Sequence, residues 1–322
     1  MPTWTLNGGS IYRGRLTLRN SADRDPELLN GAMRVVFDGK PLVQVRSRER
    51  LREGTFYFAP QIDPNNRDNN TGDYYVWAFG GANPANVPTI AIATLYYSFY
   101  PAVALKDSID NVAIEVLVIQ GGASGITASR PEGGVPGRGL TIRNSEIVYN
   151  WTDALELARF DDVRMENSVV RDNAQNNWHR RLGIKPFGDP ESNWPHAIIG
   201  FDASNVKILD SRVYDNHGEG VGPYFGNANW EISRNIVFDN WSVNVYIDTN
   251  RRDANTTVDR NFIYQTSKYT NLARNYQPAS DETPYDSRGN NYPDGIRICS
   301  EIPAPGGGDP VVGGITITNN VV

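Results

Sequence analysis

From residue 140 onward, apolar positions alternate with polar ones at a period of two, and the alternation is broken every few residues by Asn, Asp or Gly. Residues i and i+2 share one face of a strand, so this pattern predicts short β-strands; helices would need a period of 3.6. One phrase recurs: IRNSEIVYN at 142–150, MENSVVRDN at 165–173, ILDSRVYDN at 208–216 and ISRNIVFDN at 232–240. A looser copy, VDRNFIYQT, fills 258–266, and the chain ends inside another, ITNNVV at 317–322. The closing positions, 150, 173, 216, 240 and 266, are spaced by one unit except between 173 and 216, where the polar stretch 174–195 accounts for the excess. A second insertion, 267–293, precedes the last copies.

Each unit holds two short alternating runs and cannot bury its apolar face alone, whereas stacked units share a continuous core. With these phrases in hand, the chain resembles the right-handed parallel β-helix (PbH1-type) repeat proteins of the pectate-lyase-like superfamily. The fold class expected is therefore all-β, a right-handed parallel β-helix (solenoid) with a small β-rich insertion near the N-terminus. The resemblance implies that the closing Asn residues form an asparagine ladder, each amide bonding the neighbouring coil.

The N-terminal third is less regular. Strand-like runs occupy 33–37, 41–45, 54–58 and 74–81, and this region resembles the β-rich insertion of some bacterial β-helix glycosidases. The division expected is 1–32 as the start of a truncated β-helix, 33–102 as an insertion subdomain, and 103–322 as the β-helix, truncated at its C-terminal end. The chain reads as a piece of a longer protein.

Composition sharpens the picture in three places. The 33 Asn and 30 Gly suit a turn-dominated chain rather than long helices. The net charge of −6 is spread without basic blocks, which argues against nucleic acid as a partner. A single cysteine, Cys299, excludes an internal disulfide and any multi-Cys metal site. No apolar run is long enough to span a membrane. The opening Met-Pro-Thr-Trp is no secretory leader, and with the expected function an extracellular or cell-surface location is anticipated, the leader lying outside this chain.

Registering the coils predicts neighbours, because equivalent residues on adjacent strands stand about 4.8 Å apart. The strands after the marker Asn align as DALEL at 153–157, HAIIG at 196–200, EGVGP at 219–223, VNVYI at 243–247 and DGIRI at 294–298. The third position is apolar throughout and reads as inward; the flanking positions read as facing solvent. The opening column is then Asp153, His196, Glu219, Val243 and Asp294. A second outward column holds Glu156, Ile199, Gly222, Tyr246 and Arg297, and a third Ala158, Phe201, Tyr224, Asp248 and Cys299. His217, Trp151 and Trp241 flank the same edge.

Such a strip suits two reactions. Glycoside hydrolysis uses two carboxylates about 5–5.5 Å apart for retention or about 6.5–9.5 Å apart for inversion. Asp153 and Glu219, with Asp248 as substitute, are the expected catalytic carboxylates. Arg297, Tyr246, Tyr224, His217, His196 and Trp241 are the expected substrate-binding residues. Elimination or epimerisation of uronic acids would instead need a cation for the sugar carboxylate and a base, with Ca²⁺ a possible helper and no other cofactor expected. GIRI at 295–298 resembles one polygalacturonase element, but the paired Asp and Gly-His-Gly partners of that family are missing. The function expected is carbohydrate-active, with a polysaccharide or oligosaccharide as partner and hydrolysis slightly ahead of elimination. The alternative is a non-catalytic stalk or adhesive filament that self-associates through its coil ends, because any acidic β-helix face carries Asp, Glu and Tyr.

Two further features have simple readings. The stretch 63–73 spaces oxygen ligands like a calcium loop but lacks an EF-hand's fixed pattern, so a hairpin tip is the better reading. Trp178, Trp194, Trp230 and Trp241 are candidates to stack on sugar rings.

Overall fold

The period-two segments form three parallel sheets that wind into a right-handed β-helix, the hand that parallel crossovers adopt. The computed structural model describes residues 3–17, 34–61, 71–86, 90–93, 101–106, 109–184, 195–248, 254–269, 294–300 and 312–322. The first sheet stacks Val103–Leu105, Ile126–Ser129, Leu155–Ala158, His196–Phe201, Glu219–Phe225, Val243–Asp248 and Asp294–Cys299. The second runs from Val112–Glu115 to Ile315–Thr318, and the third from Val118–Gln120 to Phe262–Tyr264.

The core fills the coil interior with one apolar residue over another. Leu155, Ile198, Val221 and Val245 are fully buried in one column of the first sheet, as the third-position rule requires. Trp230 lies inside the coil with its Nε1–H donated to the Ala203 carbonyl at 3.0 Å. It leaves no room at Gly200, where a Cβ would come within 2.3 Å of the indole.

The asparagines do two jobs. Asn150, Asn173, Asn216 and Asn240 form a buried ladder in which each Nδ2–H donates to the next Oδ1 at 2.9, 3.0 and 2.8 Å. The ladder then leaves the sequence repeat. Asn240 donates to Asn244 at 3.0 Å, whereas Thr266, the expected equivalent, donates through its N–H and Oγ1–H to Asp239. Only an amide is both donor and acceptor with the reach to carry the chain on, and Thr is too short. A second ladder, absent from the expectation, runs from Asn235 through Asn261 to Asn320 at 3.0 and 2.9 Å. Other Asn and Asp residues supply left-handed backbone at the corners, for example Asn144, Asn167, Asp210, Asp172 and Asp215, a conformation these two residue types tolerate best.

The N-terminal strands form one mixed seven-stranded sheet. Arg34–Phe37, Lys40–Gln44 and Thr55–Gln61 lie where the alternation placed them, whereas the run expected at 74–81 is a strand at Thr71–Trp77 followed by a 3₁₀ turn at Phe79–Gly81; the core is Val35, Leu42, Phe56, Phe58, Tyr74 and Val76. Trp4–Leu6 and Tyr12–Thr17 belong to that sheet as well, with Tyr12 paired antiparallel to Val76. They are therefore not a first coil, since antiparallel pairing cannot propagate a parallel helix. The strands flanking the proposed hairpin tip pair antiparallel out to Gln61 and Thr71, while 62–70 and Trp194 lie outside the described residues.

Two insertions interrupt the coils. The described part of the first forms a 3₁₀ turn, Gln175–Asn177, and a short helix, Trp178–Arg181, that packs against the N-terminal sheet through Val43, Trp178, Leu182, Ile184 and Tyr269. Of the second, only residues up to Tyr269 are described.

Candidate functional site

The first sheet carries the predicted strip. Its register is the one read from sequence: Asp153 stands beside His196 through Leu155↔Ile198, His196 pairs with Glu219, Val243 with Asp294, Tyr246 with Arg297 and Asp248 with Cys299. One position differs. The ladder shifts after Gly200, so Phe201 pairs with Phe225 and Tyr224 is the extra residue of a bulge. It follows Pro223, which has no N–H to offer the ladder.

Within the strip, the side chains of His196 and Glu219 are in contact. Nε2 of His196 lies 2.9 Å from Glu219 Oε2, with the two side chains 5% and 2% exposed. The backbone N–H of His196 donates to Asp153 Oδ1 at 2.8 Å, so one histidine links carboxylates on both neighbouring coils. Gly222 makes space for the imidazole, since a Cβ there would sit 3.3 Å from His196 Cδ2. The Tyr224 ring closes the other side at 5.8 Å and meets Phe201 edge-on at 5.5 Å.

The electrostatics follow from burial. Desolvation raises the Asp153 pKa above the usual carboxylate range, against the opposing pull of His196. Glu156 is raised too, first by desolvation and then by the charge of Asp153, while its Oε2 accepts from Thr127 at 3.4 Å. Arg297 Nε–H donates to Asp294 Oδ2, and the guanidinium is one-third exposed.

Several expectations change. The outward positions do not all face solvent: His196, Glu219, Tyr246 and Asp248 are buried, and Asp153, Glu156, Tyr224, Asp294, Arg297 and Cys299 are partly exposed. Outward from the coil axis is therefore not the same as outward to solvent. His217 leaves the strip. Its ring is held between Trp178 at 5.1 Å and Tyr269 at 6.2 Å, and its Nδ1 accepts from Arg181 at 3.2 Å. Burial and the nearby Arg34, Arg181 and Lys268 push its pKa well below the usual value. Trp178, Trp230 and Trp241 are each buried to 2% exposure or less and present no open face to a sugar. Sequence reasoning missed Asp153 as a backbone acceptor and Gly222 as a spacer; the only signal for the latter was a glycine in an otherwise occupied column. Among the described residues, no group of three or more His, Cys, Asp or Glu side chains is arranged to hold a metal ion, and no helix is long and apolar enough to cross a membrane.

Fold and site together define a parallel β-helix protein with a buried acid–imidazole cluster on one sheet. No family profile and no curated protein matches the chain by sequence. Among solved structures it is similar to XylC in complex with xylose, at 13% identity and a TM-score of 0.49, over 82% of this chain and 54% of that one. It is also similar to the A-module of the Azotobacter vinelandii mannuronan C-5 epimerase AlgE6, at 14% identity and a TM-score of 0.39, over 68% of this chain and 47% of that one. The chain spans about half the length of each. At these identities the likeness concerns the path of the chain and nothing finer.

Proposed function

We propose that this is an extracytoplasmic carbohydrate-active protein that performs acid–base chemistry on a polysaccharide along the first sheet. The observation carrying this reading is the 2.9 Å His196–Glu219 contact, flanked on the adjacent coil by Asp153. Glu219 places its carboxylate 2.9 Å from Nε2, so its charge acts directly on the imidazole. Asp153, its pKa raised by burial, retains a proton more readily than an exposed carboxyl and suits the role of acid. Arg297 and Tyr224, both partly exposed, stand on the same face as candidate contacts for the sugar, whereas Tyr246 is buried.

This arrangement moves the balance between the two reactions. Asp153 and Glu219 are two strands apart, about 9.6 Å at ordinary strand spacing. That suits inversion by distance, but His196 occupies the column between them, where the sugar and water would sit. Proton abstraction by His196, as in elimination or epimerisation of a uronate, uses the same residues without that conflict. In elimination, the base takes the carbon-bound proton and the leaving oxygen takes one from the acid. A polysaccharide panel tests both: the unsaturated-uronate absorbance band marks elimination, and new reducing ends without it mark hydrolysis. Full activity in Glu219→Gln would defeat the assignment altogether.

The stalk reading draws on the burial of His196, Glu219 and Asp248, which suits a structural face. Filaments by size exclusion together with an empty glycan array would favour it; a glycan-binding monomer would rule it out.

A further inference from the structure

Behind the strip, where the N-terminal sheet meets the corner of the β-helix, lies a second buried polar cluster that this chemistry does not use. Arg34 comes from the N-terminal sheet, Trp178 and Arg181 from the first insertion, His217 from a coil corner, and Lys268 and Tyr269 from the start of the second insertion. The contacts link them into one group. The Arg34 guanidinium lies 5.1 Å from the Trp178 ring centroid, Trp178 is 5.1 Å from His217, Arg181 Nη1 is 3.2 Å from His217 Nδ1, and Arg181 lies 3.4 Å over the Tyr269 ring.

The group has a surplus of donors. Arg34 Nε and Nη1, Arg181 Nε, Trp178 Nε1 and His217 Nε2 are all buried without a hydrogen-bond partner among the described residues. Because Arg181 only donates, His217 Nδ1 is an acceptor and its Nε2 carries the hydrogen. That makes five unmet donor atoms, against three unmet acceptors on the adjoining segments, Asn176 Oδ1, Asp215 Oδ1 and Gln265 Oε1. The surrounding carboxylates are engaged elsewhere. Asp172 takes Arg171 at 2.7 Å, Asp215 takes Lys268 at 2.6 Å, and Asp239 takes the Thr266 N–H and hydroxyl at 2.7 and 2.6 Å. Arg181 spends its other N–H groups on the Asn216 and Asp239 carbonyls. Neither Arg34 nor Arg181 forms an ion pair with a carboxylate among the described residues.

An arginine in a protein does not escape this cost by losing its proton, and Asp172, Asp215 and Asp239 offset the burial of the two arginines only through space, without an ion pair. We propose that the junction binds an oxyanion, a carboxylate, phosphate or sulfate group, between Arg34, Arg181, Trp178 and His217. Guanidinium forks match two oxygens of such a group, and the indole and imidazole N–H groups complete a shell made only of donors. Lys268, whose side chain is about half exposed and lies 4.9 Å from the Tyr269 ring, marks the solvent margin and adds positive charge on the way in. Bound there, the anion ties the N-terminal sheet to the β-helix, because Arg34 and Arg181 come from opposite sides of the junction.

Thermal unfolding of the whole chain in phosphate, sulfate or galacturonate, each against sodium chloride at matched ionic strength, reads the site. A ligand of the folded state raises the midpoint in a saturable, concentration-dependent way. We expect a rise of several degrees with at least one oxyanion, and its loss in Arg34→Gln. Phosphate and sulfate acting alone assigns a free inorganic anion; galacturonate acting alone assigns a sugar-acid carboxylate. If Arg34→Gln does not fold, Trp178→Phe removes a single donor and is expected to right-shift the titration severalfold. Crystals grown with selenate locate the anion by its anomalous signal, expected between the two guanidinia. No oxyanion effect beyond chloride, or water alone between the guanidinia, overturns the proposal. The site is separate from the His196–Glu219 pair, so either result leaves the activity assays to stand on their own.

Discussion

His196 and Glu219 face each other across adjacent parallel strands, Nε2 to Oε2 at 2.9 Å, on a sheet whose register brings the two together although 22 residues separate them in sequence. Glu219→Gln keeps the shape and removes the charge that orients the ring. Positioned acid–base groups contribute about 10²–10⁴-fold to rate, so kcat on the responsive polysaccharide should fall by that order, with KM little changed. His196→Ala should fall as far, and the double variant no further, because the two act as one unit. Additive losses would sink the pairing.

The asparagine ladder predicts a stability effect with no effect on chemistry. Asn216 is fully buried, donates to Asn240 Oδ1, Val170 O and Tyr214 O, and accepts from Asn173. Asn216→Ala orphans buried partners on two coils, at about 1–3 kcal/mol each, so a loss of several kcal/mol is expected in denaturant titration. Lys207→Ala, which removes an exposed ion pair with Glu231, should cost less than about 1 kcal/mol.

Acid should destabilise the junction. Burial pushes the His179 pKa down to about 4, with Arg46 adding to the effect. A histidine depressed on folding contributes stability that is present above its unfolded value of about 6.5 and is lost as pH falls through its folded value. A shift of this size corresponds to about 3 kcal/mol between pH 7 and 4, and the depressed His217 acts in the same direction. Denaturant midpoints measured across that range should be flatter in His179→Gln; an unchanged slope would contradict the assignment.

Asp153 has the opposite sign. Its pKa is raised on folding, so the stability it contributes is present below its unfolded value and is lost as pH rises through the folded one. Asp153→Asn retains an oxygen for the His196 N–H and removes the charge. The variant should therefore match wild type in acid and exceed it at neutral pH, while losing activity if Asp153 is the acid.

The strands, the coil register and the first ladder were legible because they are local periodicities. Period-two alternation fixes which residues face inward, and a fixed repeat length fixes which residues stack. The columns through Asp153, His196 and Glu219, and through Tyr246 and Arg297, followed from the repeat count together with the strand pattern, which alone placed His196 after its insertion. Counting failed where geometry breaks the repeat. The bulge at Tyr224 shifts one column, and the ladder passes from Asn240 to Asn244 while Thr266 turns to Asp239.

What the sequence could not supply is what lies over each face. A strand pattern distinguishes inward from outward, but burial depends on segments folded back from elsewhere in the chain. Tertiary structure alone buried His196, Glu219 and Asp248, drew His217 away to Trp178 and Arg181, and hid the indoles of Trp178 and Trp241. It also brought Arg34 to the ring of Trp178, 144 residues away in sequence. Pairings of that kind repeat nowhere in the chain, so no period encodes them; the docking of one unit on another decides them.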